Sequence, residues 1–577
     1  MHTGPAILIG CAVLGLSESA APASAQQLSR ESGSSATQAV DSAAAVRRAR
    51  TLQGRFETRR RHRLPRFYSG AARRCVTIGR FCYWSSGTAN HRIPDEGDII
   101  RRARAQLLRD LEATAREAPS SDWVVGQRIR YLVEARDTSA VRVARECAST
   151  GWWCDALLGY TLHTSGDFAG ADSVFARALA AMPSATRCEW TDISRLLGSE
   201  PRAEYRRLSC DQREAPTNRM WWLADPLFIA PGNERRTEHF SRVVYAEIQK
   251  KSVNTHGMSW GWDLAELGVR FGWPEKWTQH SDASIHTVER PTVAGHDREP
   301  AFHFLPTRLP PDRLELVADS VWELKRAPPQ EQYSPSYARR FTLLDAQVAR
   351  FRRGDSTLVV AAYDVGGDTL FRARRFSAAL VSAIDEVAVP SMLKLDSAPV
   401  AHVLMLTTAS QPQLVGVELL SDSVAAARWR YGYGELSLHP DGISLSDLLF
   451  VDVGDGLPDD LAGAIPRAHG GTAFNSAAKI GLFWELYGKA PIDSAVPVSL
   501  TLSPIEAGFF RKALRVLRIA PKATPLNIRW QENGASGVLS ARSVLLDLSL
   551  VPPGKYEVTL EVGAVRPARA SRIIRIR

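Results

Sequence analysis

The apolar residues of this 577-residue chain change their spacing once, and that change limits the architecture more than any other feature. From about residue 98 to about 250 they recur every three to four positions, the period of a helix with one buried face. From about residue 337 onward they alternate by two in short runs such as "STLVVAAYDV", "QLVGVELLS" and "KYEVTLEV". In the last of these Tyr556, Val558, Leu560 and Val562 face one way and Lys555, Glu557, Thr559 and Glu561 the other, as in a half-buried antiparallel strand. A multidomain protein, α first and then β, is expected.

The first strong helix lies in "DIIRRARAQLLRDLEATAREAP". Ile100, Ala103, Leu107, Leu108, Leu111 and Ala115 form one stripe, Asp98 is placed to cap the start, and Pro119 ends it. The stretch "DALLGYTLHTSGDFAGADSVFARALAAMP" then sets Gly159, Gly166, Phe168, Ala171, Phe175, Ala178 and Pro183 at the offsets of a tetratricopeptide repeat. Small residues at Gly159, Ala171 and Ala178 let two antiparallel helices touch, Phe175 fills the groove, and Pro183 stops the second helix. Trp123, Gly126 and Ala144 mark a degenerate copy upstream. Because about three repeats are needed to bury a continuous core, residues 98–212 are expected to form a short tetratricopeptide-like helical array. Before it, residues 26–97 read as a disordered leader and a basic Arg-rich segment. After it come a small Trp-rich α(+β) module at 213–279 and a Pro-rich linker laid over a surface at 280–336. Two antiparallel β-sandwich units are expected at 337–455 and 475–577, the second immunoglobulin-like in its strand spacing.

Residues 1–25 read as a signal peptide, since an apolar run from Ala6 to Leu16 precedes Ala23-Ser24-Ala25, a cleavage site of the A-x-A kind. Leu8-Ile9-Gly10-Cys11 also has the form of a lipoprotein cleavage box, with Cys11 as the residue to be lipidated, behind a short apolar run. The other six cysteines are Cys75, Cys82, Cys147, Cys154, Cys188 and Cys210, an even set in the first part of the chain. The C-x2-C spacing or paired histidines of a zinc site are missing. Three local disulfides, 75–82, 147–154 and 188–210, are expected among the roughly 15 pairings that six cysteines allow, in an exported protein, periplasmic or extracellular. No run of about 18 apolar residues follows the N-terminus, so no membrane-spanning segment is expected in the mature chain.

The formal charge of +10 comes from one place: between Arg47 and Arg74 eleven arginines stand against a single acid, Glu57. This stripe is expected to form an Arg-rich helix, solvated or salt-bridged to a neighbouring domain, with room for a weak contact with an anionic envelope surface. No aromatic platform or nucleic-acid motif accompanies it, and no nucleic-acid partner is expected.

Asn233 is placed to cap a helix whose inner face carries Phe240, Val243, Val244 and Ile248. It leads into "SWGWDLAELGVRFGWPEKW", which gathers Trp260, Trp262, Trp273 and Trp277 around Asp263 and Glu266. The two acids lie one helical turn apart, within reach of Arg235, Arg236 or Arg270, and the indoles are expected to hold a small domain together. Trp260, Trp262, Asp263, Glu266 and Trp273 are the candidate binding residues. The stretch from Thr217 to Gln279 resembles the GWxTD domain of exported bacterial proteins, which often has tetratricopeptide repeats before it and β-sandwich segments after it. Trp260, Gly261, Trp262 and Asp263 stand at the W-x-T-D positions, with Ser259 in place of the Gly and Trp262 in place of the Thr. Phe271-Gly272-Trp273-Pro274 supplies the aromatic-Gly-x-Pro that follows. The resemblance implies an architecture and no catalytic residues.

Metalloprotease, Walker, nucleophile-elbow and C-x-x-C motifs are absent from the sequence. Glu238 and His239 lack a second His at i+4, and Asp452, Asp455, Asp459 and Asp460 read as a solvated acidic turn rather than a calcium loop. No cofactor, metal or catalytic residue is assigned. The expected function is an exported non-enzymatic scaffold or adaptor that binds a protein or peptide partner through its helical repeats. The alternative is an envelope hydrolase acting on peptide or glycan, with Asp225, Glu238 or Asp263 beside Trp platforms. Two carboxyls about 5–9 Å apart in an open cleft would favour the hydrolase, and carboxylates buried against arginine the scaffold.

Overall fold

The computed structural model describes residues 23–67, 75–85, 93–279, 293–298, 300–326, 328–422, 424–436, 442–488, 495–505, 525–532, 539–563 and 566–577, with side chains from residue 41 onward. A helical region comes first and a β-rich region of several sheets follows. The expected signal peptide, Cys11 included, lies outside the described residues except for its last three positions, and none of the described helices is long and apolar enough to cross a membrane.

The helices are α1 (Ala23–Arg63), α2 (Asp98–Glu117), α3 (Asp122–Glu134), α4 (Ser139–Arg145), α5 (Gly151–Ser165), α6 (Phe168–Ala181), α7 (Ser184–Thr191), α8 (Ser199–Arg207), α9 (Glu214–Ala224), α10 (Glu234–Lys250) and α11 (Trp262–Phe271). The predicted stripe of α2 is present, with Ile100, Leu107 and Leu111 buried, but the cap is Gly97 and Asp98 sits in the first turn. α5 and α6 form the predicted close pair. Gly166 takes the left-handed conformation that ends α5, Asp167 accepts a bond from the Gly170 amide to start α6, and Phe175 presses on Gly159 so tightly that a Cβ there would stand 2.8 Å from its ring. Disulfides join Cys147 to Cys154 across the α4–α5 turn and Cys188 to Cys210 across the α7–α8 segment. Each stabilises by about 2–4 kcal/mol on the loop-entropy account. Cys75 and Cys82 lie on a hairpin, β1 (Cys75–Ile78) and β2 (Phe81–Ser85), but their side chains fall outside the described residues.

α10 is the hub. Asn233 caps it as predicted, and Phe240, Val244 and Ile248 enter one core with Ile129 of α3, Leu157 of α5 and Phe175 of α6. The Trp-rich stretch is thus no separate module, because its main helix completes the core of the array before it. α1 is likewise part of the fold rather than a disordered leader where its side chains are described: Ala45, Ala49 and Phe56 are buried, and Ala49 and Phe56, with Leu64 just past the helix end, share a core with residues of α2 and α3. The hairpin β3 (Lys276–Gln279) with β4 (Val293–His296) closes the helical region.

The first β unit comprises β5 (Arg340–Leu343), β6 (Ala346–Arg353), β7 (Ser356–Asp364), β8 (Phe376–Ala383), β9 (Ser391–Leu395), β10 (Ala401–Ala409), β11 (Gln413–Ser421) and β12 (Ala425–Tyr433). They form one sheet in the order β10-β7-β6 and another in the order β5-β12-β11-β8-β9, packed through Val348, Val359, Leu380 and Val417. The second unit comprises β13 (Ser444–Leu445), β14 (Leu449–Asp452), β15 (Ala473–Phe474), β16 (Lys479–Tyr487), β17 (Val496–Pro504), β18 (Leu526–Glu532), β19 (Leu539–Asp547), β20 (Gly554–Val562) and β21 (Ala568–Ile576). Its sheets run β13-β16-β14, with β19 beside β16, and β15-β21-β20-β17-β18, around Trp484, Leu500 and Val558. β13 and β14 pair with β16, so residues 444–452 belong to this second unit and not, as expected, to the first.

The layers share faces. Ala379, Val381 and Ala426 on the far side of the first unit's five-stranded sheet meet Leu227 and Ile229 of the helical region. Ala349, Phe351 and Val360 on the far side of its three-stranded sheet meet Leu449, Val451 and Phe483 of the second unit. The expected surface linker is filling in this stack: Phe302, Phe304 and Tyr333 are buried between helices and sheet, and Leu314, Val317 and Trp322 pack there as well. Prolines kept this segment irregular without keeping it outside.

Replacing Gly159 by Val forces the Phe175 ring out of its place between α5 and α6. The variant should lose about 1–3 kcal/mol in urea denaturation, the range for overpacking a tight core.

Candidate functional site

A cleft opens where α10 passes under the ends of α3 and α5, and has a volume of about 590 Å³. One wall is Val133, Glu134 and Ala140, another is Tyr160, His163 and Thr164, and the rim includes Trp273, Lys276, Arg298 and Ser334. Glu238 and Arg242 of α10 line the floor.

On that floor His163 Nε2 lies 2.7 Å from Glu238 Oε2, and its Nδ1 lies 2.9 Å from Thr237 Oγ1. Arg242 Nε donates to Glu238 Oε1 at 2.7 Å, while its two Nη groups donate to the carbonyls of Val269, Arg270 and Gln332. Burial pushes the Glu238 carboxyl up, but Arg242 and His163 outweigh it and hold the group well below the usual carboxylate range. On the wall, Arg60 Nη1 donates to Glu134 at 2.8 Å and Arg60 Nε to Glu96 at 2.7 Å. Burial opposes the charge on Glu134 too, yet Arg60, Arg130 and Arg104 hold its carboxyl at about 2. Lys276 pairs with Asp95, and Arg298 with Glu275. Glu238, Glu134, Glu96, Asp95 and Glu275 of the cleft are thus each paired with a cation, while Asp137 accepts from the Ser139 amide. Trp273 supplies an apolar surface, standing edge-on to Tyr160 at 5.3 Å and tilted over Tyr245 at 5.8 Å.

The five candidate binding residues do not converge. Trp273 alone of them lines the cleft. Trp260 is half-buried, and Trp262 is 64% exposed on the outer face of α11. Glu266 pairs with Arg270 at 3.0 Å, one of the three arginines expected near it. Asp263 is taken instead by Arg80, whose Nε and Nη2 donate to its two carboxylate oxygens at 2.6 and 2.8 Å. The Arg80 side chain, first, and its backbone amide lower the Asp263 pKa. Gly79 allows this clamp. Its φ is +53°, and a Cβ there would stand 2.5 Å from the Asp263 side chain. Arg235 and Arg236, also expected near these acids, pair with Glu331 and Asp172.

Of the three carboxylates weighed for hydrolysis, only Glu238 reaches the cleft. Asp225 lies against the β region, where Arg428 and Arg430 donate to its backbone carbonyl and Glu418 pairs with Arg430 at 2.5 Å. Burial pushes the Asp225 carboxyl well above its ordinary value, and Arg430 opposes this only in part. His239 is also buried, packed on Trp221 with Nε2 facing the Trp190 carbonyl; burial, then Arg235, pushes its imidazole down to about 3. Among the described residues no group of His, Cys, Asp and Glu is placed to hold a metal ion.

The sequence reading left the Arg60 stripe either solvated or salt-bridged and gave no role to Arg130, although Arg60 and Arg130 both hold the cleft's Glu134. Arg60 and Arg130 are fully buried ion-pair partners, whereas a basic residue in a polar-looking helix reads as solvent-facing.

No protein-family model matches the chain, and no curated protein matches it. Among solved structures it is similar to a two fibronectin type-III domain segment from chicken tenascin, at 13% identity over 40% of this chain and 98% of that one, with a TM-score of 0.12.

Two contrasts check this account. Arg80→Ala leaves the buried Asp263 without its cation and should cost about 1.5–3 kcal/mol of stability, whereas Trp262→Ala should stay within about 0.5 kcal/mol. The second concerns proton linkage. Burial raises the Asp225 pKa in the fold above the ordinary 3.8 of the unfolded chain, so this group's contribution to stability falls as pH rises from there. Relative to the native chain, Asp225→Asn should therefore gain stability as pH rises above about 4, by at most about 1.4 kcal/mol per pH unit in urea titrations, until the raised folded-state pKa is passed. Parallel curves would mean that Asp225 is ionised in the fold.

Proposed function

We propose that this chain is an exported, non-enzymatic scaffold that takes a segment of a protein or peptide partner into the cleft above α10. In this reading the helices before α10 are tetratricopeptide-like repeats, and the Trp-rich stretch is a divergent GWxTD domain. The observation that carries the proposal is the state of the cleft's charges. Glu238, Glu134, Glu96, Asp95 and Glu275 are each engaged by Arg or Lys. A general acid or base must exchange its proton near the working pH, and Glu238 and Glu134, held low by buried guanidinium groups, resist that. A binding surface has no such need. Its walls must keep their shape, and ion pairs anchored on buried helices do that. The volume falls in the range of about 300–1,000 Å³ usual for ligand clefts, with Trp273 as an aromatic contact and Thr164, Ser165 and Ser334 as neutral hydrogen-bonding groups. Export is supported by the two disulfides, which persist in oxidising compartments.

A photo-crosslinking side chain placed at Ser165 or Ser334, on the cleft, and at Arg529, on the outermost sheet, tests the proposal in cells of the source organism. Discrete protein adducts are expected from the two cleft positions and not from Arg529. Equal labelling from all three, or turnover of peptide or glycan substrates that is lost in Glu238→Gln, would sink it.

A further inference from the structure

The outward face of α1 carries arginines with no counter-charge beside them among the described residues. Arg47, Arg55, Arg59 and Arg63 are exposed, and the last three follow one another at intervals of four. At 1.5 Å of rise per residue that spacing sets them about 6 Å apart in one row. The only acid in this stretch, Glu57, faces inward and is fully buried, 2.8 Å from Arg130. Among the described residues the side chains of Arg55, Arg59 and Arg63 have no hydrogen bond or ion pair, whereas Arg48 on the same helix pairs with Glu117 and Arg50 lies over the Trp123 ring at 4.9 Å.

The adjacent helix is built differently. On α2 the exposed Arg101 and Arg116 each have an acid one turn away, Asp98 and Glu112. Opposite charges at that spacing support a helix, and like charges weaken it. The row on α1 therefore works against its own helix, which is held in place from behind by Phe56 and by the Arg60 pairs with Glu96 and Glu134. A row of uncompensated guanidinium groups along one helix face suits an external array of anions with no fixed register.

We propose that the Arg55–Arg59–Arg63 row docks the chain onto an anionic phospholipid surface. A bilayer headgroup layer is flat and dense in phosphate, and it accepts a cationic row without needing a pocket. Single-stranded nucleic acid would want aromatic platforms beside the cations, and no large exposed apolar side chain of the described residues lies on this helix. This surface is separate from the cleft, and the proposal stands whether or not the cleft binds a partner.

Co-sedimentation of the full chain with vesicles of 30% phosphatidylglycerol in phosphatidylcholine, against phosphatidylcholine alone, tests it. Binding to the anionic vesicles should exceed binding to the neutral ones at least tenfold in about 50 mM NaCl, and the difference should collapse in about 500 mM NaCl. Each cation near an anionic surface contributes about fivefold, so the triple variant R55Q/R59Q/R63Q should lose at least tenfold while keeping its circular dichroism and melting temperature. R55K/R59K/R63K, which keeps the charge, should bind as the native chain does. Equal binding to both vesicles, an unaffected Gln variant, or loss of binding in the Lys variant would overturn the proposal. So would retention by a 20-base-pair duplex DNA with no retention by anionic vesicles.

Discussion

Burying a polar helix is the constraint on which the rest of the structure depends. α10 reads "ERRTEHFSRVVYAEIQK", and most of its side chains are out of water. An unpaired ion in such a place costs several kcal/mol even after relaxation. Arg235 therefore needs Glu331, and Glu238 needs both His163 and Arg242, while the partly exposed Arg236 pairs with Asp172. Those partners come from α5, α6 and the irregular segment near residue 331, so satisfying one helix brings distant stretches of chain to fixed positions. The cleft is a by-product of this matching: its floor is the exposed side of the same ion pairs that anchor α10.

How much of this could be read from the sequence depended on the kind of force involved. Apolar stripes at helical spacing marked α2 and the α5–α6 pair, Asn233 marked the start of α10, and local cysteine spacing marked the 147–154 and 188–210 bridges. These signals are short-range. The Asp263–Arg80 clamp spans 183 positions, and nothing within the Trp-rich stretch points to its partner. Spacing also misled where both faces of an element are covered. β11, "QLVGVELLS", is buried along nearly its whole length, and its Glu418 is matched to Arg430 rather than to water. β17 and β21, in the outermost sheet, keep the alternation expected of strands with one wet face. Proline density between 280 and 336 suggested a loose strap, yet Phe302, Phe304 and Tyr333 carry enough apolar surface to pull it inside.

Arginine serves two opposite ends on one helix. Arg60 is 2% exposed, and three carboxylates neutralise it within a core. Arg59, its neighbour, is exposed and has no described counter-charge. The guanidinium group tolerates both settings because it stays charged in either and presents a rigid planar set of donors. A single formal charge for the chain hides this division between internal fastener and outward field.

The sharing of sheet faces has a bearing on how such a chain matures. Emerging from the ribosome amino end first, the helices are complete in sequence long before Glu331 and Phe304 exist to cover them, and the five-stranded sheet must wait in turn for β14 and β16 to close the layer beyond its partner. Every stage short of the last leaves a sticky plane facing solvent. Nascent chains of this architecture call for escort until the final strands arrive, and pieces cut at the apparent joints would be poor candidates for life on their own.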